Sequence, residues 1–108
     1  LQVDAEWRIT GFQEKPKNPT CIPGKPDLAL VSMGNYVFGK QALVDQLTDD
    51  AANKSSVNDF GKNVLPDMVR QGKRIFAYDF TKNVIPGSSD RSYDAYWRDV
   101  GTLEAYYE

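Results

Sequence analysis

The chain contains no histidine and a single cysteine, Cys21. Without histidine there is no Ser-His-Asp or Cys-His mechanism and no side chain with an ordinary pKa near neutrality. One cysteine rules out an internal disulfide and any multi-cysteine zinc site, and fits a reducing cytoplasm. Cys21 lies in Pro19-Thr20-Cys21-Ile22-Pro23 with nothing nearby to activate it, and reads as an inert loop thiol. Basic excess is also missing: the net charge is -2, so there is little to release counterions from a nucleic acid backbone or to hold an anionic membrane. No apolar run approaches the roughly 18 residues of a membrane span, and no basic-then-apolar leader opens the chain. The Asn53-Lys54-Ser55 triplet is then a chance sequon. Chemistry in this chain rests on carboxylates, lysines, arginines and a hard cation.

What is present fits one globular domain. The chain has 108 residues, 41% of them hydrophobic, enough for a modest core. Trp7 to Glu14 carries β-compatible residues and ends at a proline, which predicts a strand. Residues 16–27 hold Pro16, Pro19, Pro23, Gly24 and Pro26; fixed φ angles and missing amide donors predict a stiff surface loop. Leu28 to Phe38, nearly all apolar or small, has the pattern of a buried strand. Lys40 to Asp49 places Leu43, Val44 and Leu47 on one helical face, and the polar stretch from Asp49 to Asn58 reads as a loop. Phe60 to Gln71 is helical in two pieces, the second opened by Pro66, lined inside by Leu65, Met68 and Val69, and stopped by Gly72. Arg74 to Phe80 alternates, with Phe76, Tyr78 and Phe80 on one face of a strand. Lys82 to Ala95 is a long loop around Pro86-Gly87-Ser88-Ser89. Tyr96 to Asp99 is a short strand, and Thr102 caps a last helix with Leu103, Tyr106 and Tyr107 inside. Strands alternating with helices predict an α/β fold.

Four short motifs carry the chemistry. In Phe12-Gln13-Glu14-Lys15-Pro16 a carboxylate and an ammonium stand at a strand end, where ligands of open α/β sheets gather. Pro16 biases Lys15 toward an extended backbone, so the two side chains need not pair. Taken alone, Glu-Lys is more often a solvated turn. Ser32-Met33-Gly34-Asn35-Tyr36 puts a hydroxyl and a glycine inside an apolar stretch: a satisfied core serine, or a point of close approach by a ligand. Asp59-Phe60-Gly61-Lys62 opens a helix, and Asp59 is either its N-cap or a sugar-contacting carboxylate. Tyr96-Trp97-Arg98-Asp99-Val100-Gly101-Thr102 sets a carboxylate where a strand ends and a helix begins. Asp99 there either pairs or caps locally, or serves as one of the one or two carboxylates a hard cation such as Mg2+ takes alongside phosphate oxygens.

Together and in this order, the motifs resemble the middle of the bacterial glucose-1-phosphate adenylyltransferases, the ADP-glucose pyrophosphorylases. Ile22-Pro23-Gly24-Lys25-Pro26-Asp27 leading into Ala29–Phe38 is similar to the bacterial form, and the likeness runs from about Val3 to Glu108. It implies part of a Rossmann-like, glycosyltransferase-A-like mixed sheet with flanking helices. It also implies that residues 1–108 are the sugar-phosphate part of a catalytic domain whose nucleotide-binding part and C-terminal β-helix domain are absent here. By the resemblance, Lys15 binds the phosphate of glucose 1-phosphate, Glu14 and Ser32 contact the sugar, Asp59 and Trp97 support sugar-phosphate binding, and Asp99 binds the catalytic Mg2+. The implied substrates are ATP and glucose 1-phosphate, in a cytoplasmic homo-oligomer, tetrameric in the full-length family, with no nucleic acid or membrane partner. Where the family usually has histidine before Asp-Phe-Gly, this chain has Asn58. Two other readings remain open at this point: a non-catalytic sugar-binding or protein-interaction module, and a related uridylyl or thymidylyl sugar nucleotidyltransferase.

Overall fold

Trp7 and its neighbours turn the chain back on itself just after it begins. Gln2–Val3 (β1) pairs antiparallel with Ile9–Gly11 (β2) through a bulge in the register. The connection is held by Asp4, whose Oδ1 accepts from the amides of Glu6 at 2.9 Å and Arg8 at 3.0 Å. An aspartate accepting from amides further along the chain stabilises a turn without a ladder, and it carries Trp7 at a φ of 64°. The computed structural model describes residues 1–84, 86–87 and 95–107. These fall into two units, Leu1–Ala77 and Tyr78–Glu108.

In the first unit the proline-rich stretch is not a plain loop. Cys21–Ile22 (β3) and Lys25–Ala29 (β4) form an antiparallel hairpin around Pro23-Gly24. Proline presets φ at the first turn position, and Gly24 supplies the positive φ, 77°, needed at the second. The prolines thus occupy turn and edge positions, where no amide is required of them.

The strand expected over Leu28 to Phe38 is largely absent, since β4 ends at Ala29. The Ser32 hydroxyl accepts from the Gly34 amide at 3.2 Å, and Gly34 takes a φ of 75°, so the chain turns where a ladder would have to continue. Val31 is 79% exposed and Val37 fully so, contrary to the buried pattern. The predicted strand over Arg74 to Phe80 reduces to one bridge, Arg8 with Phe76, fixed by Ile9 N to Ile75 O at 2.8 Å and Ala77 N to Trp7 O at 2.9 Å. In place of one mixed sheet, the described residues hold two separate two-stranded antiparallel sheets.

The helices follow the sequence more closely. Lys40–Ala52 (α1) is longer than expected by one turn. Its burial is turned from the predicted face: Gln46 (3% exposed) and Asp50 (4%) are buried, while Val44 and Leu47 are exposed. The Ser56 hydroxyl donates to Asp50 Oδ1 at 2.6 Å, so the segment after the helix folds back over a polar position. Phe60–Val64 is a π-helical turn that runs directly into Leu65–Arg70 (α2), with Pro66 in its first turn. Gly72 N reaches Val69 O and Lys73 N reaches Met68 O, both at 3.0 Å, with Gly72 at a φ of 72°. This is the glycine stop predicted for α2, closing its free carbonyls. Val64, Leu65 and Met68 are buried with Phe12, Phe38 and Ile75 packed against them, and Ile9 is buried as well.

In the second unit, Asp79 caps a single 3₁₀ turn, Phe80–Lys82, through the Thr81 amide. Tyr78 and Phe80 therefore lie in a turn region and not on a strand face. The Pro86-Gly87-Ser88-Ser89 loop falls largely outside the described residues. Residues 96–99 form no strand. Thr102 Oγ1 accepts from Ala105 N at 3.1 Å and caps Leu103–Tyr107 (α3), as expected. The expected inner stripe is not buried, since Leu103, Tyr106 and Tyr107 are all exposed. The two tyrosines meet each other edge-on, with ring centroids 5.2 Å apart.

A core of this size has a consequence. The buried apolar side chains Ile9, Val64, Leu65 and Met68 each contribute about 1.5–3 kcal/mol. Leu28, on β4, and Val31 and Val37 beyond it are exposed apolar side chains that favour association with another chain. The isolated 108-residue chain is expected to self-associate. Sedimentation over a dilution series checks this; a monodisperse monomer at high concentration that unfolds cooperatively would show that these residues close their own core.

Candidate functional site

The backbone beyond β2 delivers Phe12 to the core and Glu14 to the surface. At Lys15 it bends sharply, with a φ of 44°. This corrects the expectation of an extended residue before Pro16. A non-glycine residue in the left-handed region costs of order 1–3 kcal/mol, and such residues gather at binding sites. The bend also brings the two side chains within reach: Lys15 Nζ lies 4.0 Å from Glu14 Oε1, where an extended segment would have sent them apart. Lys15 remains 91% exposed. Its ammonium is thus tethered at one edge and open to a ligand.

Glu14, Lys15 and Ser32 line one cavity of about 340 Å³, together with Phe12, Gln13 and Leu30. That volume lies within the range of small-molecule sites. Two of the four motifs, far apart in sequence, therefore line the same cavity. The Ser32 hydroxyl shares a 2.9 Å hydrogen bond with the Tyr36 hydroxyl. The Tyr36 ring stacks on Phe60 at 5.6 Å, and Phe38 lies within 6.2 Å of Tyr36 and 5.9 Å of Phe60. This aromatic group joins the Ser-Met-Gly-Asn-Tyr segment to the Asp-Phe-Gly segment.

Asp59 is an N-cap: its Oδ1 accepts from Lys62 N at 2.8 Å. The turn it opens is wide, with Asp59 O accepting from both Asn63 N (2.9 Å) and Val64 N (3.1 Å). Single π-turns inside helices are frequent at functional sites. The approach to the cap is also fixed. Asn63 Oδ1 accepts from the amides of Val57 and Asp59, each at 3.3 Å, and Ser56 Oγ accepts from Asn58 N at 3.0 Å. Asn58 takes a φ of 58°, a left-handed conformation that asparagine tolerates better than most residues. Asp59 does not line the cavity, but it is close to Glu14. A Cβ on Gly61 would stand 2.9 Å from Glu14 Oε2 and 3.4 Å from Asp59 Oδ1.

Trp97 and Asp99 lie in the second unit, both exposed. The capping role open to Asp99 in the sequence belongs to Thr102 instead. The Asp99 carboxylate lies back over Gly101, where a Cβ would stand 3.1 Å from Oδ2. An exposed carboxylate not used as a cap is a hard oxygen donor of the kind Mg2+ takes when substrate phosphates complete its shell. Among the described residues no group of three or more histidine, cysteine, aspartate or glutamate side chains forms a metal site on its own.

Sequence reading missed Tyr36 as the hydrogen-bond partner of Ser32 and Phe60 as the ring stacked on Tyr36. Both stand inside motifs that were weighed only for their polar members. The four-residue step from Ser32 to Tyr36 across a glycine turn was the available signal.

Glu14, Lys15 and Ser32 thus share a cavity in the first unit, and in the second unit the exposed Asp99 precedes α3. The sequence profile of the nucleotidyl transferase family matches residues 1–108, and the chain belongs to that family. Over its full length it is 58% identical to the glucose-1-phosphate adenylyltransferase of Thermus thermophilus. It is 53% identical to glucose-1-phosphate adenylyltransferase 1 of Vibrio parahaemolyticus and 50% identical to the glucose-1-phosphate adenylyltransferase of Photobacterium profundum. The chain spans 26% of the length of each of these curated relatives. No helix among the described residues is long and apolar enough to cross a membrane.

Proposed function

We propose that this chain is the sugar-phosphate-binding part of an enzyme that joins the adenylyl group of ATP to glucose 1-phosphate, giving ADP-glucose and pyrophosphate for glycogen or starch synthesis. The observation that carries the reading is the meeting of Glu14, Lys15 and Ser32 on one cavity wall. Lys15 meets the sugar phosphate as a point charge. Glu14 accepts from ring hydroxyls, and Ser32, held by Tyr36, offers a second polar contact. Tyr36, stacked on Phe60, braces Ser32 beside the cavity, and Asp59 supports sugar-phosphate binding from its cap outside it. By the family likeness, Trp97 is assigned to sugar-phosphate binding in the complete protein as well.

In the reaction a phosphate oxygen of glucose 1-phosphate attacks the α-phosphorus of ATP in line. A new P–O bond forms, the bond to the β-phosphate oxygen breaks, and pyrophosphate leaves with that electron pair. The protein's work is placement and charge, with no covalent intermediate. Asp99 is the residue that would hold Mg2+, which when bound neutralises charge on phosphate oxygens. The nucleotide-binding part of the same catalytic domain, which completes the mixed sheet, and a C-terminal β-helix domain belong to segments outside these 108 residues. The whole protein works in the cytoplasm as a homo-oligomer.

Pyrophosphate release tests this. The complete polypeptide is expected to release pyrophosphate with ATP, Mg2+ and glucose 1-phosphate, and much less with UTP or dTTP. The 108-residue chain alone is expected to release none, because positioning of the nucleotide supplies much of such catalysis. Preference for UTP or dTTP would move the protein to a sister activity. Turnover by the short chain alone would overturn the assignment of the nucleotide side to other segments.

A further inference from the structure

Gly61 sits in the π-turn Phe60–Val64, and its backbone does not explain why it is glycine. Its φ is not positive, unlike that of Gly24, Gly34, Gly72 or Gly87. Gly61 is the second residue of a helical turn, and glycine forms helix less readily than alanine, by up to about 1 kcal/mol. Local propensity therefore argues for alanine at this position. Space argues against it. A Cβ there would come within 2.9 Å of Glu14 Oε2, closer than such contacts allow. Its other neighbours are less constrained, with Asp59 Oδ1 at 3.4 Å and Phe12 Cε1 at 3.6 Å. Only the Glu14 carboxylate would have to move, and it is the end of a partly exposed side chain that can do so cheaply.

We propose that Gly61 is a positioning residue for sugar-phosphate binding: its missing side chain makes the berth in which the Glu14 carboxylate rests. The inference deepens the proposed function and rests on Glu14 contacting the sugar. The berth lies between two motifs far apart in sequence. The carboxylate lies between the surface of the π-turn and the Lys15 ammonium, 4.0 Å from its second oxygen. A methyl group at position 61 pushes Glu14 off the turn and alters the ion pair with Lys15. The two groups that meet the sugar and its phosphate are then displaced together while the fold is kept. This separates Gly61 from a packing glycine, whose replacement would first be felt in stability.

The test is a double-mutant cycle in the complete polypeptide, with Gly61→Ala and Glu14→Ala made singly and together. Steady-state kinetics and the thermal unfolding midpoint are measured for each. Glu14→Ala is expected to raise KM for glucose 1-phosphate by about tenfold to a hundredfold, as for loss of a charge-assisted hydrogen bond. Gly61→Ala is expected to raise the same KM by about fivefold to twentyfold, since the carboxylate is displaced and not removed. KM for ATP stays put and the unfolding midpoint is unchanged or slightly higher. In the Glu14→Ala background, Gly61→Ala should add almost nothing. If Glu14→Ala raises KM and Gly61→Ala does not, the role of Gly61 is wrong and that of Glu14 stands. If Glu14→Ala leaves KM unchanged, the sugar-binding reading of Glu14 falls and this inference falls with it. Equal effects of Gly61→Ala in both backgrounds, or a lowered unfolding midpoint, would make Gly61 a packing residue and overturn the proposal.

Discussion

Asp99→Asn is expected to lower kcat of the complete polypeptide by about a hundredfold or more, while KM for glucose 1-phosphate changes far less. The substitution keeps size and shape and removes one negative charge. A neutral amide oxygen is a poor ligand for Mg2+, which holds its waters tightly and is bound through few carboxylates. Another residue fills helix capping, one of the two local roles open to Asp99. The helix after it is capped by Thr102, through Ala105 N at 3.1 Å, so loss of the Asp99 charge should leave α3 in place. A fold check and a magnesium titration accompany the kinetics. The concentration of Mg2+ needed for half-maximal rate should rise in the variant. An unchanged kcat at saturating Mg2+ would show that Asp99 is a surface carboxylate with no part in the reaction.

Lys15→Ala is expected to raise KM for glucose 1-phosphate by about tenfold to a hundredfold and leave KM for ATP nearly unchanged. The asymmetry is the point: in the proposed role, the lysine meets a phosphate on only one of the two substrates. Its side chain is 91% exposed, so truncation costs the fold little. Its ion pair with Glu14 lies at the outer limit of such contacts, and an exposed pair at that range contributes little to stability. Lys15→Arg tests the geometry. A guanidinium keeps the charge but spreads it over a planar fork, and should recover only part of the affinity. Equal rises in KM for both substrates would remove the phosphate-binding role.

Local signals in the chain proved legible wherever the cause was local. The α2 segment opened at Pro66 and stopped at Gly72, because a fixed φ suits a helix start and a positive φ suits its end. Thr102 and Asp59 cap the turns they precede. Leu65 and Met68 are buried on the face their spacing indicated. The strands were less legible. A strand exists only if a second segment runs beside it, and the apolar run from Leu28 to Phe38 has no such neighbour past Ala29 among the described residues. The alternating segment from Arg74 to Phe80 met β2 at one bridge only. Proline content misled in the other direction, since Pro23 and Gly24 build the turn of a hairpin.

The candidate site divides in the same way. Its candidate residues came from a resemblance: the order of the four motifs pointed to the family, which matches residues 1–108, and the likeness in turn proposed Glu14, Lys15, Ser32, Asp59, Trp97 and Asp99. The arrangement of Glu14, Lys15 and Ser32 around one cavity was not legible in the sequence, because it depends on contacts between segments far apart in the chain. Nor could spacing foresee the bend at Lys15, which pairs two side chains that an extended backbone would separate, or the Tyr36 hydroxyl on Ser32. The use of Gly61 was hidden too. A glycine marks either a backbone angle or an empty space, and only the tertiary structure, by laying the Glu14 carboxylate across that backbone, decides that here it is space.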